Sequence, residues 1–428
     1  MKFLPGFLQR KRFVRILLVM PVMACLLACF GRPWLATVPN FMARRAISQR
    51  APEQAIDWVR WSERLAGPTP QSELLLARAN RKLARWDAVH EHLIRAKALG
   101  ASEILTQRED WLARAQSGQL QEVEHRRNQM LLDPQGDTNE ICDAYVQGYL
   151  VNRRFQEAIQ LLESWSADYP ENPRPHYLLG IIFAERSKTA LAVKSLQRAV
   201  ELDPDHFQAR LALANNLLEN KQAREALAEF QNCREIQHDN AQLSVGIAKS
   251  NLALGNVDEA KAELENGLTL FPEDFNLRLE RGRLLMDDDF HSALTHLAKA
   301  VALEPRSTEA RYVLAQVLLR LSRKEEAEGH LEYVKTANEQ LAMRQKHTDA
   351  VHSNPADVEA RYQIGITELK YGTEQDGIQW LQSVLNYDPG HKEANAALAS
   401  YYEARQSESN AFAVLAVRYR KLAMRESD

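Results

Sequence analysis

The sequence predicts an all-α protein, a solenoid of stacked helix-turn-helix pairs preceded by an N-terminal membrane helix, and three observations carry that prediction. The segment TALAVKSLQRAVELDP at 189–204 returns at 292–305 as SALTHLAKAVALEP. Prolines punctuate the chain at one interval: Pro170 and Pro204, Pro272 and Pro305, and Pro355 and Pro389 each stand one period apart, and Pro204 and Pro272 stand two periods apart. That period is about 34 residues, the length of one helix-turn-helix repeat. The run ILLVMPVMACLLACFG at 16–31 is uncharged and follows Lys2, Arg10, Lys11, Arg12 and Arg15 with no acid among them.

Composition agrees with a helical stack. Hydrophobic residues make up 45% and charged residues 26% of the 428, with 17 Gly and 16 Pro, which is enough apolar side chain to fold and too few loop formers for an all-β or disordered chain. A repeat array also escapes the usual limit on core size, because it grows by stacking. The net charge of -3 and the lack of a basic stripe beyond the N-terminus argue against a nucleic acid partner. Cys142 and Cys233 stand alone and no CxxC pair occurs, so no cysteine-based zinc or redox site is expected.

Taken in order, residues 1–38 are expected to form a cytoplasmic basic stub and a transmembrane signal-anchor. Sixteen residues span about 24 Å as a helix, and Arg15, Arg32 and Trp34 can anchor the ends. Two alternatives remain open: a cleaved signal peptide, and lipidation at Cys29, because Leu26-Leu27-Ala28-Cys29 resembles a bacterial lipobox. The basic flank places the N-terminus inside. The expected location is therefore a bacterial inner membrane, single-pass, with the array in the periplasm; a cytoplasmic or lipid-anchored body is the alternative.

Residues 39–138 keep the beat in degenerate form, through Ala55 with Pro68, Trp86-Asp87-Ala88 with Ala96, and a segment ending at Pro134. The core array spans 139–338. The stretch from Pro305 to Pro355 covers nearly one and a half periods, and its surplus, EQLAMRQKHTDAVHSN, lacks Gly and Pro. Accordingly 339–357 is read as a helical insertion that lengthens the second helix of its unit into a projecting helix. It is either a tolerated outward insertion or a hinge or docking element. Residues 358–428 complete the chain with further pairs and a basic capping helix, giving about ten units in all.

The core units share a pattern: Gly180, Ala192, Leu196, Ala199 and Pro204; Ala214, Ala226 and Phe230; Ala248, Gly255, Ala260, Leu264, Gly267 and Pro272; Gly282, Ala293, Leu297, Ala300 and Pro305. This resembles the tetratricopeptide repeat family, in particular a membrane-anchored bacterial member. Small residues let helices A and B approach, and proline ends helix B so that the next pair can begin. The resemblance implies a right-handed solenoid whose A helices line a concave groove, with the ninth position of each unit facing it.

Those positions hold Ile181, Asn215, Lys249, Arg283 and Gln316, and the second positions hold Arg174, Gln208, Gln242, Asn276 and Glu309. Asn215, Lys249, Arg283 and Gln316, with Gln208, Gln242 and Asn276, are the candidate binding residues for an extended peptide held by its amides or an acidic side chain. The family's carboxylate clamp is not matched: Leu211 accompanies Asn215, and Glu280 stands where a basic residue is wanted.

No Walker loop, GxGxxG, GxSxG or HExxH occurs. His90 and His92 lie two apart, so on a helix they point about 200° apart and cannot share a metal. Asp287–Asp289 lack the glycine and the spaced oxygens of a calcium loop; Asp289 is expected to cap the next helix. The sequence thus predicts a non-enzymatic membrane-anchored scaffold for protein or peptide partners in envelope complex assembly, without cofactor, metal or small-molecule substrate. A lipoprotein assembly or secretion factor, or an accessory subunit of an envelope enzyme, is the alternative.

Overall fold

The computed structural model describes residues 37–48, 51–134, 137–237 and 240–424. All regular structure in them is helical. The chain divides into two compact units, one ending at Gly148 and one beginning at Tyr149.

In the first unit, α1 (Thr37–Ser48) pairs with α2 (Pro52–Ala66), and α3 (Pro70–Lys82) with α4 (Trp86–Ala98). The third pair begins with α5 (Glu103–Gln116), but its second helix is broken into α6 (Leu120–Val123), a 3-10 turn (Glu124–Arg126) and α7 (Arg127–Leu132). The Tyr145 hydroxyl, on α8 (Thr138–Val151), donates to the Val123 carbonyl at 2.8 Å and so takes up an acceptor that the break leaves free. Trp58 and Trp61 pack on each other with ring centroids 5.5 Å apart; Trp58 is half-buried against the core of this unit and Trp61 is exposed.

A buried ion network ties this unit together. Arg81, fully buried on α3, donates to Glu109 at 2.5 Å, Gln116 at 2.9 Å and Glu140 at 2.8 Å; Arg78 and Lys82 add bonds to Glu109, Asp137, Glu140 and Asp143. Burial alone would raise the Glu140 carboxyl, but the Lys82 and Arg81 charges win and hold it at about 2. This folded value lies below the ordinary 4.5, so the stabilisation is complete above the unfolded value and disappears as the pH falls towards 2. Urea midpoints of the first unit should therefore drop between pH 5 and 3, with a shallower slope in Glu140→Gln; equal slopes would exclude the network as the cause.

The second unit continues with α9 (Phe155–Asp168) and the pairs α10 (Pro173–Glu185) with α11 (Thr189–Leu202), α12 (Phe207–Glu219) with α13 (Ala223–Ile236), and α14 (Ala241–Leu254) with α15 (Val257–Leu270). It then adds α16 (Phe275–Leu284) with α17 (Phe290–Leu303), α18 (Thr308–Arg320) with α19 (Lys324–Ser353), α20 (Val358–Tyr371) with α21 (Glu374–Tyr387), and α22 (Lys392–Ala404) with α23 (Asn410–Ala423). The small residues do what their spacing implies. A Cβ on Gly180, Gly282 or Gly365 would come within 2.5, 2.6 or 2.9 Å of Leu196, Leu297 or Leu381 on the partner helix, so glycine sets the A–B distance.

The turn from A to B carries a feature that the residue pattern conceals. Ala84, Gly118, Arg153, Ser187, Lys221, Gly255 and Ser322 all have positive φ, and most are one period apart. Glycine, the residue that takes this conformation without cost, occupies only Gly118 and Gly255 among them. At the turn before α17 the solution differs: Asp289 caps that helix by accepting from His291 N at 3.0 Å and Ser292 N at 3.1 Å, and the three aspartates form a turn.

The surplus between Pro305 and Pro355 extends helix B, and α19 runs for 30 residues without a break. Its C-terminal half does not project as expected but is packed: Val351 is buried in a cluster with Ala360, Ile364 and Trp380, and Arg344 pairs with Glu368.

The expected N-terminal membrane helix is corrected. Among the described residues no helix is long and apolar enough to cross a membrane. Apart from α19, the longest described helix is α2 with 15 residues, too short to span a bilayer, and such helices bury one apolar stripe against their neighbours. The longer α19 is charged along its length. The run 16–31 and Cys29 lie outside the described residues. The signal-anchor, the membrane as a partner, the inner-membrane single-pass location, the periplasmic body and the envelope role, in its anchored or Cys29-lipidated form, therefore have no support and are withdrawn.

Candidate partner-binding groove

The periodic positions fall in register on the helices. Asn215, Lys249, Arg283 and Gln316 are each the ninth residue of α12, α14, α16 and α18, and Gln208, Gln242 and Asn276 are each the second residue of the first three. Successive A helices touch: α10 contacts α12, α12 contacts α14, and α14 contacts α16. The reason is that helix A of each unit is short and rich in small residues, with Ala214 and Ala248 fully buried beside the row and Gly282 buried with them.

The seven residues differ in what holds them. Asn215, Gln208, Gln242 and Asn276 are exposed, and Gln316 is half-buried. The two cations are engaged within the protein. Lys249 Nζ lies 3.0 Å from Glu280 and Arg283 3.2 Å from the same carboxylate, and Arg283 also pairs with Glu309. Glu280 is itself buried, so Lys249 and Arg283 compensate a carboxylate that would otherwise be costly in that position.

The ladder Lys249–Glu280–Arg283–Glu309 thus stitches α14 to α16 and α16 to α18. Its formal charges cancel, so the polar row expected from the sequence carries no net positive charge at Lys249 and Arg283. Its two cations remain partly accessible, at 43% for Lys249 and 33% for Arg283, and the side-chain amides of Asn215 and Gln316 make no hydrogen bond among the described residues. The row can offer side-chain amide donors and acceptors at the helix-stacking interval, flanked by cations that are held in place.

Glu280 was visible in the sequence as an acid at a position that favours a base, but its role as the centre of the ladder was not. Elsewhere His92 lies 2.6 Å from buried Glu73, which occupies the feature that had a metal-like look. Among the described residues no group of three His, Cys, Asp or Glu side chains could hold a metal ion. The buried Cys233 thiol is pushed up to about 12, by burial first, which makes it an inert core residue.

Models of the tetratricopeptide repeat match residues 146–206, 177–232, 217–279 and 284–343, the stretch in which the helix pairs are most regular. No curated protein matches the chain. Among solved structures, a double mutant of MamA RS-1 is similar at 23% identity over 40% of this chain and 96% of its own, with a TM-score of 0.37. TTC0263, a thermophilic tetratricopeptide repeat protein of Thermus thermophilus, shares 21% over 41% and 95%, with a TM-score of 0.35. YrrB, described as having an unusual peptide-binding site, shares 18% over 40% and 90%, with a TM-score of 0.31. The chain resembles the repeat family over the matched residues.

Proposed function

We propose that the protein is a non-enzymatic scaffold that holds an extended segment of a protein partner along the A-helix row, within an array spanning 139–338. The observation that carries this reading is the row itself. Asn215, Lys249, Arg283 and Gln316 recur at the ninth position of four consecutive A helices, each accessible at least in part, and the ladder through Glu280 orders two of them before any ligand arrives. Fixed donors lower the ordering cost of binding, and a regular spacing suits the repeating amides of an extended chain.

A photoreactive residue tests it directly. Placed at Asn215 or at Gln316 in the full chain, p-benzoylphenylalanine should yield polypeptide adducts in cells that the same residue at Glu328, exposed on helix B, does not. Equal labelling at all three positions, or adducts at Glu328 alone, would sink the groove reading. Substitution of Lys249 or Arg283 is a poorer probe, because it removes the partners of a buried carboxylate and perturbs helix packing as well as binding.

A further inference from the structure

The long helix α19 brings the C-terminal part of the second unit back to its first turn. The Arg361 guanidinium, fully buried on α20, donates to the carbonyl of Asn152 at 2.9 Å, to the Pro355 carbonyl at 2.8 Å and to Ser383 Oγ at 3.1 Å. Arg153, in a left-handed conformation at the α8–α9 turn, donates to Gln379 Oε1 at 3.1 Å and pairs with Asp376. Residues far apart in the chain thus meet.

Two connected clefts of about 440 and 390 Å³ lie along this seam, sharing Arg153, Phe155, Arg186 and Val351. The larger is balanced: Arg153 faces Asp376 and Arg344 faces Glu368. The smaller is not. Of the five cations that line it, Arg153 and Arg154 are met by Asp376 and Glu157, while Arg186, Lys188 and Arg361 have no carboxylate in an ion pair with them among the described residues.

Arg361 has no carboxylate partner among the described residues; it rests on neutral acceptors and on the faces of Trp380 and Tyr387, at 5.7 and 4.7 Å. Burial lowers its pKa, the Tyr387 hydroxyl opposes, and the neighbouring Arg154 and Arg153 charges add to the lowering. Arg153 Nε is buried without a hydrogen-bond partner among the described residues. Arg186 stands exposed over the Phe155 ring at 5.5 Å, and Lys188 is exposed beside it.

A cleft whose exposed cations Arg186 and Lys188 carry no ion pair among the described residues, with Phe155, Ile159 and Val351 as apolar wall, is complementary to carboxylates interspersed with apolar side chains. We propose that this seam is a second binding site, separate from the A-helix row, and that it takes an acidic segment of a partner protein. The apolar wall favours a peptide over a phosphate chain, which offers no apolar side chain to cover it. The insertion in α19 is what creates the site, because a helix B of ordinary length would not carry Val351 and α20 back to Arg153.

The test uses the full chain and a fluorescein-labelled hexapeptide, Glu-Glu-Leu-Glu-Glu-Leu, followed by anisotropy. Saturable binding is expected, weakening at least tenfold in the Arg186→Glu, Lys188→Glu double variant and falling on passing from about 50 to about 200 mM salt; both side chains are exposed, so circular dichroism should stay unchanged. Asn215→Ala with Gln316→Ala should leave the affinity as it is, which separates this site from the groove. No saturable binding, equal affinity in the double variant, or tighter binding of a single-stranded oligonucleotide that the double variant abolishes would each overturn the proposal.

Discussion

Arg81→Ala is expected to be the most damaging single substitution in the first unit. Removing one partner of a buried ion pair leaves the other charge without compensation, which costs about 3–5 kcal/mol. Here Arg81 is fully buried and holds Glu109, which is only 4% exposed, together with Gln116 and Glu140. Arg78 also reaches Glu109, at 3.4 Å, and Lys82 reaches Glu140, so the loss should fall towards the lower end of that range. The urea midpoint followed by tryptophan emission reads it, since Trp58, Trp61, Trp86 and Trp111 all lie in this unit. Arg81→Met combined with Glu109→Gln should recover part of the loss, because no unpaired charge remains. If the double variant were as unstable as Arg81→Ala, side-chain packing and not charge would be the cause.

Gly148→Ala should come next in size. Its added methyl would sit far inside contact distance of the Ala115 carbonyl oxygen on α5, and within 3.0 Å of Leu120. The first obstacle is backbone, which cannot rotate away as a side chain can, so the two helices must separate. Overpacking of this kind costs roughly 1–3 kcal/mol, and more where nothing yields. Gly329→Ala is the internal control: that glycine lies in α19, and nothing lies within 4 Å of the added methyl. There the substitution should stabilise by about 0.8–1 kcal/mol from helix propensity. Thermal midpoints that move in opposite directions would support the close-approach reading; a neutral Gly148→Ala would refute it.

Much of the array was legible because its determinants are local and repeated. The pairs Gly180 with Leu196, Gly282 with Leu297 and Gly365 with Leu381 lie about half a period apart and meet as their spacing implies. Asp289 could be assigned as a cap from its place before an apolar-periodic run. Less was legible in the N-terminal third, where the second helix of the third pair is broken between Leu120 and Leu132 and no breaker residue announces it. The left-handed turns were hidden for another reason: Ala84, Arg153, Ser187, Lys221 and Ser322 adopt positive φ in local helix C-caps, where the N–H of the following residue reaches the carbonyl five residues before it, and they carry no glycine signal. The N-terminal membrane helix rested on an uncharged run and its basic flank, and none of the described helices is long and apolar enough to cross a membrane.

The candidate groove divides in the same way. Its register was readable, since the repeat period places Asn215, Lys249, Arg283 and Gln316 on equivalent turns. Its electrostatics were not, since periodicity aligns residues within a row and says nothing of the acid that sits beside them; Glu280 and Glu309 neutralise Lys249 and Arg283.

By itself the sequence determined the helix pairs, their period, the residues that set the A–B distance and the lengthening of α19, because each depends on neighbours within one unit or the next. Tertiary structure alone decided that Arg81 centres a buried network, that Lys249 and Arg283 are tied to Glu280, and that Arg361 meets the carbonyl of Asn152. Those contacts join side chains across the stack, where the geometry of successive helices, and not any local pattern, selects which charge faces which.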